Sequence, residues 1–230
     1  AEIESLRATY PDMHTVYLET ETITSNMRYA MTFFEALRDY NRKFDEAEKI
    51  KFGINCTVTT ALINKIERFQ AFAKLLKDAN VIFVNVGLES GSQRVRDEVL
   101  RRPKYSNASF EEFVRVIKKN GLDINVFVLM GVPGETLEDF KKTVMVCRAT
   151  QPTFIYLSIF YPYPGTDLHD IAMDRRMVPD GLRDNPVVAE RTRVYIDLKD
   201  FPKWRVQFEY FFFWFRVYGG HRPFMWRHER

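Results

Sequence analysis

Two carboxylates in this chain stand beside glycines at the ends of apolar runs. They are Glu89, in Gly87-Leu88-Glu89-Ser90-Gly91-Ser92, and Glu135, in Gly131-Val132-Pro133-Gly134-Glu135-Thr136. A carboxylate so placed accepts hydrogen bonds from vicinal hydroxyls or from an ammonium group. The glycines let backbone approach a ligand closely. A Pro-Gly turn before a helix start leaves N–H groups that suit a carboxylate or a flat ring. A third segment, Tyr161-Pro162-Tyr163-Pro164-Gly165-Thr166-Asp167-Leu168, offers two tyrosines that can flank a planar ligand. A fourth, Glu19-Thr20-Glu21-Thr22, brings two carboxylates together, again suited to an ammonium. Each segment also has a plainer reading: capping serines, a standard Pro-Gly turn, a rigid loop and a solvated acidic loop.

The surrounding pattern decides where these segments sit. Short apolar stretches alternate with amphipathic ones. His14–Glu19, Lys51–Cys56, Val81–Val86, Asp123–Met130 and Phe154–Phe160 read as strands. Asn26–Glu46, Ala61–Lys77, Arg94–Leu100, Phe110–Asn120 and Leu137–Cys147 read as helices, with Ser109/Glu112 and Thr136/Asp139 as N-terminal caps and Gly121 as a stop. The strand-to-strand interval of roughly 30 to 40 residues is the length of a βα repeat. Strands this apolar are covered on both faces, as in parallel sheets. The expected fold class is α/β, a partial (β/α) TIM-like barrel or a doubly wound sheet, with the four segments at the strands' C-terminal ends, where such folds bind ligands. After Met173 the pattern breaks into a charged stretch. An aromatic helix over Phe201–Tyr218 follows, with Pro202 in its first turn and Gly219-Gly220 as its stop. It is apolar around most of its circumference and must pack against something.

Composition narrows the function classes. Net charge is +3 over 230 residues, too small and too evenly spread to imply nucleic acid. No apolar run is long enough for a membrane span and no signal peptide opens the chain. Cys56 and Cys147 are isolated in apolar contexts, so neither a disulfide framework nor a thiolate metal site follows, and a cytoplasmic location is expected. The four histidines do not cluster in metal-site spacing. The chain opens on Ala1, directly in a helix-like segment, which reads as a piece of a longer protein.

Taken in order, GLESGSQ, MGVPGET and YPYPGTDL resemble the radical S-adenosylmethionine superfamily, over about Glu2 to Met173. The resemblance is to the subgroup that often carries an N-terminal cobalamin-binding domain and includes the magnesium-protoporphyrin IX monomethyl ester oxidative cyclase-like Fe–S oxidoreductases. It implies a partial barrel over residues 1–173, lacking its first strand and cluster loop, and a C-terminal extension over 174–230. It also implies a radical enzyme of oxidoreductase or methyltransferase type. Its cofactors would be S-adenosylmethionine, a [4Fe–4S] cluster and, through an upstream domain, cobalamin. By resemblance, Glu19 or Glu21 would hold the methionine ammonium. Glu89 and Ser90 would contact the ribose and methionine carboxylate. Gly131, Pro133, Gly134 and Glu135 would support the adenine, and the Tyr161 loop would follow the backbone edge used for it. No catalytic acid or base is implied. The family's Cys-x3-Cys-x2-Cys loop is absent from these residues, so this chain alone is expected to be inactive.

Two other readings stay open. One is a different enzyme using Glu89 and Glu135 as paired carboxylates, with or without a divalent metal. The other is a non-enzymatic nucleotide- or partner-binding module. Self-association through an exposed barrel edge or through the aromatic helix is also expected.

Overall fold

A computed structural model describes residues 2–20, 23–178 and 191–219. Five parallel strands form one sheet in the order β1-β2-β3-β4-β5, alternating with helices as in a partial TIM-like barrel. The strands are β1 (Thr15–Leu18), β2 (Lys51–Cys56), β3 (Val81–Glu89), β4 (Asp123–Met130) and β5 (Phe154–Ile159). The helices are α1 (Glu2–Thr9), α2 (Met27–Asn41), α3 (Thr60–Ile63), α4 (Ile66–Asp78), α5 (Asn107–Lys119), α6 (Leu137–Thr150), α7 (Asp167–Asp174) and α8 (Lys203–Tyr218). None is long and apolar enough to cross a membrane.

The expected elements form, with differences. The Asn26–Glu46 helix ends at Asn41, and Arg94–Leu100 forms only the wide turn Val95–Val99. The Ala61–Lys77 segment splits into α3 and α4. β3 runs three residues further than the apolar pattern, so Glu89 ends the strand instead of following it. The cap of α5 is Ser106, whose hydroxyl accepts the Ser109 N–H at 3.1 Å, and not Ser109 itself. Glu112 then turns outward to Arg115. Pro202 precedes α8 as its N-cap instead of lying in its first turn. Thr136 and Asp139 form the expected capping box, and Gly121 ends α5 at a φ of 70°.

The chain divides into two compact units, residues 1–87 with 112–126 and residues 88–111 with 127–230. In the first, Phe34 meets Phe72 edge-on at 5.7 Å and Phe69 stacks on Phe113 at 4.9 Å. Buried Asn41 ties α2 to the loops around it, donating to Ile50 O at 2.8 Å and accepting from Ile50 N–H at 3.1 Å. A polar row crosses β1 to β4: Tyr17 donates to Asn55, Asn85 donates to Tyr17, and Asn125 donates to Asn85. In the second unit, α8 docks on α6 through Phe213 against Phe140, at 5.9 Å between ring centres, and Phe201, just before α8, meets the same ring at 5.6 Å.

Candidate functional site

The end of β3 is bent by a three-residue turn in which Ser90 N–H donates to Leu88 O at 2.7 Å. That turn puts Glu89 at a φ of 58°, a left-handed conformation that a non-glycine residue rarely adopts. The Glu89 carboxylate stays partly open and accepts from Arg102 at 2.9 Å. Burial pushes its pKa up, and the Arg102 cation pulls it back. Ser90 points the other way and is fully buried, its Oγ 3.4 Å from Thr143 Oγ1 and accepting from Ser92 N–H at 3.2 Å. Gly91 donates its N–H to Thr143 Oγ1 at 2.8 Å, and its Cα lies flat against the backbone of α6.

Behind this turn lies Arg96, wholly buried. It sits in a wide turn, Val95–Val99, closed by Leu100 N–H on Val95 O, five residues back. The widened turn sends the guanidinium back under the strand end. There it donates to Ser90 O at 2.5 Å, Asn107 Oδ1 at 2.9 Å, and Gln93 Oε1 and Tyr105 O at 3.1 Å each. It also lies 4.7 Å over the Tyr105 ring, whose hydroxyl donates to Leu88 O. Asn107 closes the set by donating to Gly91 O. One buried cation thus holds the Ser90 carbonyl after Glu89 together with Tyr105, whose hydroxyl holds the Leu88 carbonyl before it.

The turn after β4 is built on two left-handed glycines, Gly131 at a φ of 74° and Gly134 at 83°, flanking buried Pro133. Glu135 folds back beneath it, 1% exposed, and accepts the Gly131 N–H at 2.5 Å. Burial pushes its pKa up to about 8, while the Gly131 and Val132 N–H groups act to lower it. Asp139 joins the two loops. It accepts from Ser92 Oγ at 2.6 Å, from Arg94 and from the Thr136 cap, and Arg94 also reaches Gly134 O at 2.8 Å. Burial alone would raise the Asp139 pKa, but these donors hold it well below the usual carboxylate range.

The Glu135 shift has a measurable consequence. Its folded pKa lies above the ordinary 4.5. Between those values the fold keeps a proton that the unfolded chain has released, so stability falls as pH rises from about 4.5 to about 8. Glu135→Gln keeps the shape and the acceptor but has no proton to lose. Its melting temperature is expected to vary less over that window, and an unchanged slope in a pH series of thermal melts would refute the assignment.

Of the residues singled out in the sequence, the second unit brings Glu89, Ser90, Gly131, Pro133, Gly134, Glu135 and Tyr161 into one bonded framework. Only Glu89 offers a side chain that is still partly open. Ser90 and Glu135 are buried and already bonded, so any contact they make with a ligand runs through backbone. The same burial excludes Glu135 from a pair of solvent-facing catalytic carboxylates. Tyr161 is 5% exposed, held edge-on by Tyr163 and Tyr195. The adjacent Phe160 N–H donates to Met130 O at 2.8 Å, tying the Tyr161 loop to the end of β4. Glu19 belongs to the first unit, exposed just after β1, and Glu21 lies outside the described residues.

Sequence reasoning missed Arg96, Arg102 and Thr143. An arginine inside Val-Arg-Asp-Glu-Val carries no signal of burial, and the wide turn that buries it breaks helical periodicity. Cys56 and Cys147 are buried and free, their thiols pushed up to about 12 by burial, so they are inert and no cluster can rest on them. Among the described residues, no group of acidic, histidine or cysteine side chains is arranged to hold a metal ion.

Residues 2–147 match the family model of the Radical SAM superfamily. Among curated proteins, the chain is similar to the threonylcarbamoyladenosine tRNA methylthiotransferase of Drosophila pseudoobscura pseudoobscura. The two are 29% identical over 150 residues, which is 63% of this chain and 25% of that protein. The chain therefore spans about a quarter of that relative's length. Among solved structures it resembles the radical S-adenosylmethionine methyltransferase TsrM from Kitasatospora setae, with cobalamin and a [4Fe–4S] cluster bound. There the TM-score is 0.60 at 20% identity, covering 76% of this chain and 30% of that one. It also resembles coproporphyrinogen III oxidase from Escherichia coli, with a TM-score of 0.59 at 14% identity, covering 89% and 40%. At these identities the structural likeness speaks to the fold.

Proposed function

This chain belongs to the radical SAM superfamily, and from that premise we propose that it supplies part of the S-adenosylmethionine cleft of a radical enzyme of Fe–S oxidoreductase or methyltransferase type. The observation that carries the reading is Glu89. It is a partly open carboxylate held in a strained left-handed conformation at the end of a parallel strand. Strain of that kind persists only where the surroundings over-determine it, and it gathers at ligand sites. Here Arg96 and the Tyr105 hydroxyl do the over-determining.

When bound, S-adenosylmethionine supplies the cleavable carbon–sulfur bond from which radical chemistry starts. In this reading Glu89 takes the ribose hydroxyls, and Arg102 aims it and opposes the upward pull of burial on its pKa. Ser90, Gly131, Pro133, Gly134, Glu135 and Tyr161 shape the backbone around the ligand, while Glu19 or Glu21 takes the ammonium. The cluster does not fit this chain's own cysteines, so its ligands are assigned to other residues of the protein. Cobalamin use is supported by the cobalamin-bound TsrM likeness. The two free cysteines support a cytoplasmic setting. A barrel over residues 1–173 with an extension over 174–230 remains the domain division proposed.

In the intact, anaerobically reconstituted protein, Glu89→Gln is expected to weaken S-adenosylmethionine binding by about tenfold or more, the loss of a charge-assisted bond. Its melting temperature should stay close to that of the parent. Equal affinity for parent and variant would remove Glu89 from the cleft, and a parent that binds no S-adenosylmethionine would favour the non-enzymatic module.

A further inference from the structure

A cavity of about 600 Å³ lies within the first unit, past the C-terminal ends of β1 and β2. Its volume falls in the ~300–1,000 Å³ range of small-molecule sites, and that end of a parallel sheet is where such folds bind ligands. Thr24, at the cavity's edge, ties the two strand ends together. Its hydroxyl donates to Thr57 O at 3.1 Å and accepts the Thr57 N–H at 3.2 Å. Buried Leu62 and Phe69 form an apolar wall.

Three cations share the lining: Arg28, Lys65 and Arg68. Among the described residues, no acidic side chain lines the cavity, and none of the three has an ion-pair partner. Elsewhere in the same unit Arg38 pairs with Asp39 and Lys49 with Glu46. The places of the three cations make their company costly. Arg28 is the second residue of α2, Lys65 is the N-cap of α4, and Arg68 is the third residue of α4. A helix start is the positive end of the macrodipole, which favours acids and opposes bases. Lysine is a poor N-cap, and no side chain caps α4. Glu67, the acid of that first turn, is exposed and does not line the cavity. Three like charges around one cavity also repel one another. An anion inside it reverses every one of these costs, because it meets the cations, both helix starts and the uncapped N–H groups together.

We propose that this cavity binds a small phosphate ester, its phosphates held by Arg28, Lys65 and Arg68 and its organic part resting on Leu62 and Phe69. Each phosphate carries about −1.5 to −2 at neutral pH, so two of them match three cations, whereas a carboxylate brings a single charge. A nucleic-acid strand would need a basic groove that continues over several nucleotides, which the small net charge of +3 does not supply. The inference stands on the first unit alone and is independent of the cofactor reading.

The test is calorimetric titration of the intact protein with inorganic diphosphate, alone and with saturating S-adenosylmethionine. The expected result is binding at one site, unchanged by S-adenosylmethionine and weakened about tenfold or more in Lys65→Gln/Arg68→Gln, which removes two charge-assisted contacts. The charge-matched Lys74→Gln/Lys77→Gln, further along the same helix, should bind as the parent does. Since Lys65 and Arg68 oppose the dipole, their double variant should melt with the parent or above it when no anion is present. A parent that binds no diphosphate overturns the proposal, as does binding that survives the Lys65/Arg68 substitution. Equal weakening in both double variants means diffuse attraction, an adventitious ion only, and overturns it too. Displacement of diphosphate by S-adenosylmethionine would give the cavity to the cofactor instead. Diphosphate binding in a protein that takes no S-adenosylmethionine would uphold this site while removing the cofactor reading.

Discussion

Gly91→Val is expected to destabilise the fold by ~3 kcal/mol or more, the range of severe overpacking. A Cβ at residue 91 would stand 2.5 Å from the Lys142 carbonyl oxygen and 2.6 Å from Thr143 Cα. Both are backbone atoms in the middle of α6, so neither can swing aside as a side-chain tip would. The helix would have to move as a body. That would break the Gly91 N–H bond to Thr143 and loosen the Ser92 bond to Asp139. Chemical denaturation measures the loss, and a value within ~0.5 kcal/mol of the parent would mean that strand end and helix do not touch as described.

Arg96→Leu is expected to cost a similar ~3 kcal/mol, by a different route. Leucine fills much of the space but leaves Ser90 O, Tyr105 O, Asn107 Oδ1 and Gln93 Oε1 without their donor. Ser90 O and Tyr105 O are the buried acceptors of the four, and a buried acceptor that loses a charged donor costs more than the bond contributed in net terms. Arg96→Lys should fail as well, because an ammonium cannot serve four acceptors spread across one plane. Arg101→Ala supplies the contrast. Its ion pair with Asp167 spans 3.0 Å, but both side chains are over 70% exposed, so a change within ~0.5 kcal/mol is expected. If Arg96→Leu proved as mild as Arg101→Ala in the same denaturation series, the buried guanidinium would not be what holds the Glu89 loop.

Much of this architecture was legible because local signals and tertiary packing agree. Asp123–Met130 alternates buried and open residues along its length, and the strand occupies those residues. Thr136 and Asp139 have the spacing of a capping box, and the box forms, with Asp139 also taking Ser92 and Arg94 from the neighbouring loop. The glycine-and-carboxylate segments were recognisable as strand ends because glycine, proline and serine carry turn geometry in their own covalent structure.

What stayed hidden depends on partners distant in sequence. Glu89 and Glu135 look alike on paper, each close behind a glycine. Yet one is partly open against Arg102 and the other is sealed beneath its own turn. The difference lies in whether the backbone folds over the carboxyl, which no short motif encodes. Arg96 would pass for a solvated helix residue, and only a turn one residue wider than an α-helix buries it. Aromatic richness in 201–218 announced a packed helix, but could not say that Phe213 faces Phe140 while Phe211 faces solvent.

The most direct test of the account is hydrogen exchange on the intact, anaerobically reconstituted protein, with and without S-adenosylmethionine, read by peptide. The account predicts that the ligand slows exchange in the segments covering residues 87–92 and 131–135. Slowing confined to other segments, with these two unchanged while the ligand is bound, would contradict it.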